Sequence, residues 1–451
     1  MPTDSRSTSK GWRKILPFLR SPWFVLPLIL LLGLVIRFSL APQEGYGFDV
    51  GVNKGWARSA VQLGLAQSYS EQVGGNMLPN YPPFSLLTFA SAGWIYQTFL
   101  SPDFEMDHPT WQILIKLPAI IADLLTCLVL FAVVRRMKGK GMGLLAALLY
   151  ALHPAVIFDS AVWGQTDAIF TLFITAGLWA LGTERWRLAG ILAMIAVLTK
   201  MQAVVFLPLF ALVMAARPRI LLESTFLACC TLALVLLPFA LGGALLDVFN
   251  VYHSSVGHYA NLSSGAYNMW WSLFGDAAWG KQDTDLFFGI MTYRRVGLVL
   301  FATALGATLW IFRKALWFPK KRRPQLEAVF YAGALIASGF FVLSSEMHER
   351  YLFPLMAVGL PLAFLSVRLA AIYTLQSLAF FFNLLAILPF VPFVKALFDE
   401  FPALDVFVAS VQFFCLVLLL CFAFAERKPW EQPEKQRWLR NVLLWLRHPT
   451  L

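Results

Sequence analysis

Several polar groups in this chain are of types that could carry out a displacement at an anionic leaving group. Asp49, in GFDVGVNKGWA (Gly47–Ala57), is a carboxylate able to take a proton from an attacking hydroxyl as general base. The same residue reads equally as a solvated loop acid. Asp159, Gln165 and Asp167 stand in FDSAVWGQTDAIF, where an amide, carboxylates and the flat face of Trp163 suit a sugar. That run also fits an aromatic interface anchor followed by a helix N-terminal charge. Lys200 and Gln202 lie in TKMQ between two apolar runs. A lysine there is costly unless it meets a water-filled cavity or an anion, and phosphate is a natural partner. His348, Glu349 and Arg350 interrupt FVLSSEMHERYLFP (Phe341–Pro354). The arginine fork can hold a phosphate through two bonds and the histidine can add a third. A salt-bridged interfacial turn is the alternative.

Other motifs carry less chemistry. HSSVGH (His253–His258) lacks companion ligands for a metal, and Arg294 and Arg295 follow it in the same polar stretch. Asn261 opens an NLS triplet, the pattern of a glycosylation acceptor, which recurs by chance. GKGMG (Gly139–Gly143) follows no strand and reads as a turn, not a phosphate loop. Lys116 and Asp123 sit inside one apolar run, as buried contacts between helices or as a proton path.

The elements that must position these groups are membrane helices. Of 451 residues, 59% are hydrophobic and only 14% charged, with a mean hydropathy of +0.67. Apolar runs of that density read as spans, and 40 Phe and 16 Trp suit aromatic interfaces. The first run is too long, and too poor in small residues at its end, for a cleaved leader. The net charge of +11 resides in short connectors, so no nucleic-acid-binding domain is indicated. Cys127, Cys229, Cys230, Cys415 and Cys421 all fall in apolar runs, where they act as small hydrophobes and not as disulfides or zinc ligands.

The expected fold is an all-α polytopic membrane protein of about twelve spans. These are Pro22–Leu40, Trp111–Val134, Gly141–Val156, Gln165–Leu181, Leu188–Leu198, Val204–Ala216, Ile220–Leu241, Val296–Phe312, Leu326–Leu343, Tyr351–Val367, Ala370–Phe390 and Leu404–Phe424. The basic clusters Lys10–Arg20, Arg135–Lys140, Glu184–Arg187, Arg217–Arg219, Arg313–Arg323, Arg368 and the tail from Arg427 then share the cytoplasmic side. Counting Tyr81–Phe99 as a span would break that parity. It is therefore expected as a re-entrant or interfacial helix in a first outer loop, 41–110. The pair flanking TKMQ is expected as a shallow broken hairpin lining a cavity. The organisation is a cytoplasmic segment 1–21, one integral domain 22–426 with a second outer loop 242–295, and a basic tail 427–451. With that topology, Asp49, Tyr81, Gln165, Lys200 and Arg350 all face outward.

The order of these motifs is itself informative. An aspartate shortly after the first span is followed by YPP (Tyr81–Pro83), IADLL (Ile121–Leu125), WGQTD, TKMQ, NMWW (Asn268–Trp271) and HERYLFP. The set resembles the GT-C superfamily of membrane glycosyltransferases that use polyprenyl-phosphate sugars, over about residues 24–353. Within it the chain looks most similar to bacterial proteins resembling the second glycosylphosphatidylinositol mannosyltransferase. The dolichyl-phosphate-glucose glucosyltransferases look more distant.

The resemblance implies a GT-C-type fold and inverting transfer of a hexose, mannose first and glucose next, from a polyprenyl-phosphate donor. The acceptor hydroxyl would belong to a glycolipid, polysaccharide or protein on the outer face, in a bacterial plasma membrane. It makes Asp49 the catalytic base. Lys200, Gln202, His348, Arg350, Gln165 and Asp167 would bind donor phosphate and sugar. Tyr81, Pro82, Trp56, Asn268 and Trp270 would be acceptor or loop contacts. The metal-binding carboxylate pair of some members is missing around Asp49, where the run is FDVG, which implies an enzyme without metal or other cofactor. The rival reading is a transporter or flippase of a lipid-linked sugar. Against it stand the absence of a visible inverted repeat and the gathering of polar groups on one side.

Overall fold

In hydrocarbon a backbone must satisfy its own N–H and C=O groups, so the apolar runs become helices. The computed structural model describes residues 22–317, 325–390, 392–401 and 403–425. The expected cytoplasmic segment 1–21, the basic tail 427–451 and most of the basic run ending at Arg323 lie outside the described residues.

The chain enters through α1 (Pro22–Leu40) and then forms α2 (Gly47–Gln62) and α3 (Pro83–Phe99), which pack on each other. Next comes α4 (Pro109–Lys138), whose 30 residues make it the longest helix described. It is followed by α5 (Lys140–Ala151), a sharp bend, and the segment Pro154–Trp163. Two shorter apolar helices follow, α6 (Asp167–Gly182) and α7 (Trp186–Thr199), then the 3-10 segment Met201–Phe206 leading into Leu207–Ala215. After α8 (Pro218–Leu241) a polar stretch carries α9 (Leu245–Ser254) and α10 (Met269–Phe274). The chain then forms α11 (Tyr293–Leu316), α12 (Leu326–Leu343), α13 (Val367–Ile387) and α14 (Leu404–Ala425).

Among the described residues seven helices are long and apolar enough to cross a membrane: α1, α4, α8, α11, α12, α13 and α14. The bent pair Lys140–Ala151 and Pro154–Trp163 makes an eighth if counted as one span. The protein is thus an integral membrane protein of helical spans, and the described helices do not by themselves establish the expected count of twelve. The runs expected as Gln165–Leu181, Leu188–Leu198, Val204–Ala216 and Tyr351–Val367 are shorter helices. Of these, Asp167–Gly182 and Phe353–Val358 are mostly buried in protein, whereas Trp186–Thr199 and Leu207–Ala215 leave more than half of their residues partly or fully exposed. Pro83–Phe99 is a 17-residue helix and is not among the seven.

The core sits around α12, nearly all of whose residues are buried, whereas α8 turns most of its surface outward. Close helix contacts rest on small residues, as membrane packing favours. A Cβ at Gly190 in α7 would lie 2.6 Å from the Ser224 carbonyl oxygen of α8. The charges within α1 and α4 prove to be contacts between helices. Arg37 Nε donates to Asp123 Oδ2 at 3.0 Å, Arg37 Nη1 donates to the Ala151 carbonyl at 2.8 Å, and Ser160 Oγ donates to Asp123 Oδ2 at 2.6 Å.

Two small sheets organise the polar side. β1 (Ser263–Ser264) pairs in parallel with a strand at Met347–His348, and β2 (Leu286–Phe287) pairs antiparallel with β3 (Met291–Thr292). The first pairing ties the segment after α12 to the loop after α9.

A cavity built on three breaks in the helices

The first break is the Trp-Gly-Gln turn. A π-helical turn, Phe158–Trp163, ends at Gly164 with φ +89°, ψ 28°, a left-handed conformation that glycine adopts without strain. Space also demands glycine, because a Cβ there would come within 2.7 Å of Val50 Cγ2 and 2.9 Å of Lys116 Cε. Lys116 secures the turn from α4, its Nζ donating to the carbonyls of Gln43, Ala161 and Val162 at 2.7, 3.1 and 3.0 Å. Trp163 stacks on Tyr46 with centroids 5.1 Å apart. So held, Trp163 Nε1 and Gln165 Nε2 donate to Oδ2 of Asp49 at 2.9 and 2.5 Å. Asp49 itself lies in the first turn of α2, where the helix dipole favours a carboxylate.

The second break is TKMQ. Lys200 adopts an extended backbone, φ −152°, ψ 135°, that stops α7 before the 3-10 segment. Ser85 Oγ of α3 donates to the Thr199 carbonyl at 2.6 Å and fixes the break. The Lys200 ammonium is 2.6 Å from Asp167 Oδ1, with both side chains almost wholly buried. It also lies 5.3 Å from the Tyr81 ring centroid and 5.6 Å from that of Tyr351, within cation–π range.

The third break is the strap after α12. Glu346 has φ +61°, an unusual conformation for a non-glycine residue. Its carboxylate accepts from Gly257 N at 2.7 Å and pairs with Arg294 at 3.0 Å, while Arg294 also grips Asp283. Burial pushes the Glu346 carboxyl up to about 7, with Asp283 adding to the shift and Gly257 and Arg294 opposing it. His348 is flanked by Tyr259 and Tyr351. Burial, reinforced by Arg350 and Lys200, holds it well below its usual value, so its ring is neutral at neutral pH. Arg350 Nη1 donates to Glu349 Oε1 at 2.7 Å. Its Nη1 is 3.9 Å from Asp49 Oδ2 and its Nε is 3.8 Å from Asp167 Oδ2, both beyond hydrogen-bond length. The Arg350 Nε and Asp167 Oδ2 atoms are buried without a hydrogen-bond partner.

These breaks surround a cavity of about 420 Å³. Asp49, Trp56, Tyr81, Pro82, Gln165, Lys200, Gln202 and Arg350 line it, as the sequence led one to expect of a shared cavity. Asp167 and His348 stand behind the wall, bearing on Lys200, Arg350 and two tyrosines. Asn268 and Trp270 belong to the scaffold instead. Asn268 Oδ1 accepts from the N–H groups of Trp270 and Trp271, capping α10, and Trp270 Nε1 donates to the Leu343 carbonyl. Sequence reasoning passed over Tyr46 and Tyr259, neither of which stands in a recognisable motif. One wall is apolar, with Val204, Val205, Val251, Leu298, Phe301 and Phe340. Among the described residues no group of three or more His, Cys, Asp or Glu is placed to hold a metal ion.

Residues 106–241 match the family model described as dolichyl-phosphate-mannose-protein mannosyltransferase. No curated protein matches the chain significantly. Among solved structures it is similar to ArnT from Cupriavidus metallidurans in the apo state, at 16% identity and a TM-score of 0.48, over 93% of this chain and 78% of that one. The same protein bound to undecaprenyl phosphate gives 17%, 0.47, 89% and 77%. The archaeal oligosaccharyltransferase AglB from Archaeoglobus fulgidus, in complex with an inhibitory peptide and a dolichol-phosphate, gives 12%, 0.42, 96% and 58%. The family match begins just ahead of α4, runs through α8 and takes in Gln165, Asp167, Lys200 and Gln202, and over that stretch the chain is similar to those glycosyltransferases.

Proposed function

We propose that the protein transfers a hexose, with inversion, from a polyprenyl-phosphate donor to an acceptor hydroxyl. The observation that carries this reading is that one cavity holds the Asp49 carboxylate together with Lys200 and Arg350, the last only 3.9 Å from Asp49. A base and two cations in one space suit a single displacement. Asp49 takes the acceptor proton on one face of the sugar, and its Oδ1 is left for that proton because both hydrogen bonds fall on Oδ2. Lys200 and Arg350 stabilise the charge that grows on the departing phosphate. A phosphate leaves without help from a second carboxylic acid, and attack from the opposite face inverts the anomeric centre.

The apolar wall of the cavity suits the first units of a polyprenyl chain, and the matched family's description supports mannose ahead of glucose. Sidedness follows from charge. α4 ends in Arg135, Arg136 and Lys138, and α11 ends in Arg313 and Lys314, while each begins on the side of the cavity. The positive-inside rule then puts the cavity on the outer face, in a bacterial plasma membrane on our reading. The reaction draws its charge stabilisation from protein cations and takes no metal. The test is transfer from a panel of radiolabelled polyprenyl-phosphate hexoses by the purified protein with membrane lipid extract. Transfer of one hexose with inversion supports the reading. Specific donor binding with no transfer to any acceptor would sink it in favour of a transporter.

A further inference from the structure

The charges around the cavity do not balance. Lys200 and Arg350 face four carboxylates, those of Asp49, Asp167 and Glu349 and the wholly buried Asp159. Asp49 must stay ionised to act as a base, and Asp167 is committed to Lys200 at 2.6 Å. Asp159 hydrogen-bonds to neither cation, so Glu349 is the uncommitted carboxylate that touches one. It is 4% exposed and touches Arg350 through Oε1 alone, while its Oε2 is 3.8 Å from His348 Nδ1, too far for a hydrogen bond. Adding a phosphate to such a set makes each further buried negative charge still more costly. A carboxyl group can nevertheless keep its hydrogen bond to Arg350 without keeping its charge, since its carbonyl oxygen remains an acceptor.

We infer that Glu349 is a positioning residue that acts as a hydrogen-bond acceptor and not as a charge, pinning Arg350 through Nη1 so that its guanidinium is held at the cavity wall for the donor phosphate. The inference rests on the reading of the cavity as a lipid-phosphate site. The groups that bear on Glu349 are Arg350, its neighbour His348, Asp49 and Tyr46. Burial raises the carboxyl of Glu349, with Asp49 adding to the effect and Arg350 opposing it, which agrees with a group that binds its proton readily. The strap fixes Glu349 in place, because Met347 and His348 pair with Ser263 and Ser264 immediately before it.

The charge-neutral isostere separates this role from a purely electrostatic one. Binding of a short-chain polyprenyl phosphate to the detergent-purified full chain would be measured by calorimetry for wild type, Glu349→Gln and Glu349→Ala. Inorganic phosphate forms a second arm, and donor KM and kcat a second readout. Glu349→Gln is expected to bind the lipid phosphate about as tightly as wild type, because it keeps the acceptor oxygen and Glu349 contributes no charge. Glu349→Ala is expected to bind about tenfold more weakly, with the loss appearing in KM more than in kcat. Binding by Glu349→Gln that is weakened about tenfold would overturn the inference, and so would unchanged binding by Glu349→Ala. If the alanine variant does not fold, the glutamine variant alone decides. Wild type that binds neither ligand contradicts the lipid-phosphate reading itself. Equal binding of inorganic and lipid phosphate contradicts only the part of that reading assigned to the lipid.

Discussion

The indole nitrogen of Trp163 lies 2.9 Å from Oδ2 of Asp49, a contact between residues 114 positions apart. Together with Gln165 on the same oxygen, it fixes the rotation of the carboxylate toward the cavity. The turn that carries Trp163 is in turn held by Lys116 and Gly164, so a lysine within a membrane span acts at long range on the proposed base.

Removing that hydrogen bond tests whether the orientation matters. Trp163→Phe keeps an aromatic ring against Tyr46 but loses the donor. A hydrogen bond to a charged acceptor contributes about 1.5–3 kcal/mol, so kcat should fall by about one to two orders of magnitude. Donor KM should change little. Steady-state kinetics with a saturating acceptor would check both values, and an unchanged kcat would remove Trp163 from the account.

The Lys200–Asp167 pair separates stability from chemistry. Breaking a buried pair by removing one partner costs about 3–5 kcal/mol, so Asp167→Ala should lower the melting temperature markedly. Replacing both partners, as in Asp167→Asn with Lys200→Met, should recover much of that stability, because no buried charge is then left uncompensated by the change. Transfer should not recover with it. A double variant that restored transfer along with the fold would show that Lys200 is structural only.

Glu346 gives a signed dependence on pH. Its carboxyl is raised from the ordinary 4.5 to about 7, so between those values the folded chain holds a proton that the unfolded chain has lost. This group therefore contributes stability that declines as pH rises from about 4.5 towards 7 and is level above it. Thermal melts of wild type and Glu346→Gln across that window should differ in slope, with the variant flatter. Parallel curves would mean that Glu346 does not titrate there.

Much of the site was legible in the sequence for one reason: charges within apolar runs are costly, so those present have a use. Lys200 and Arg350 stood out on that ground, Asp49 by its place after the first span and Gln165 by the WGQTD run, and all four share a cavity. Asn268 and Trp270 resembled sugar contacts by residue type. Yet an asparagine before a helix is equally an N-cap, and the side-chain bond that decides between them is a property of the fold. The span count is least legible at α6, α7 and Phe353–Ala363, which are apolar but shorter than a full crossing, a difference hydropathy does not register. Tyr46 and Tyr259 join the site only through long-range packing, which leaves no local pattern to read.

If protein cations alone stabilise the leaving phosphate, chelation should be without effect. Transfer measured after exhaustive treatment with EDTA should match the untreated rate within about twofold, and adding back magnesium or manganese should not raise it. A loss restored by one divalent ion would place that ion in the reaction and overturn the metal-free proposal.

The central claim, that Asp49 is the base in a cavity that binds the donor through Lys200 and Arg350, is tested most directly with Asp49→Asn. Single-turnover transfer from a radiolabelled polyprenyl-phosphate mannose should fall by about 10²–10⁴-fold, the usual range for a general base. Donor binding by the same preparation should stay within a few-fold of wild type. Transfer at the wild-type rate would show that another group takes the proton, and the account of this cavity as the catalytic site would fail with it.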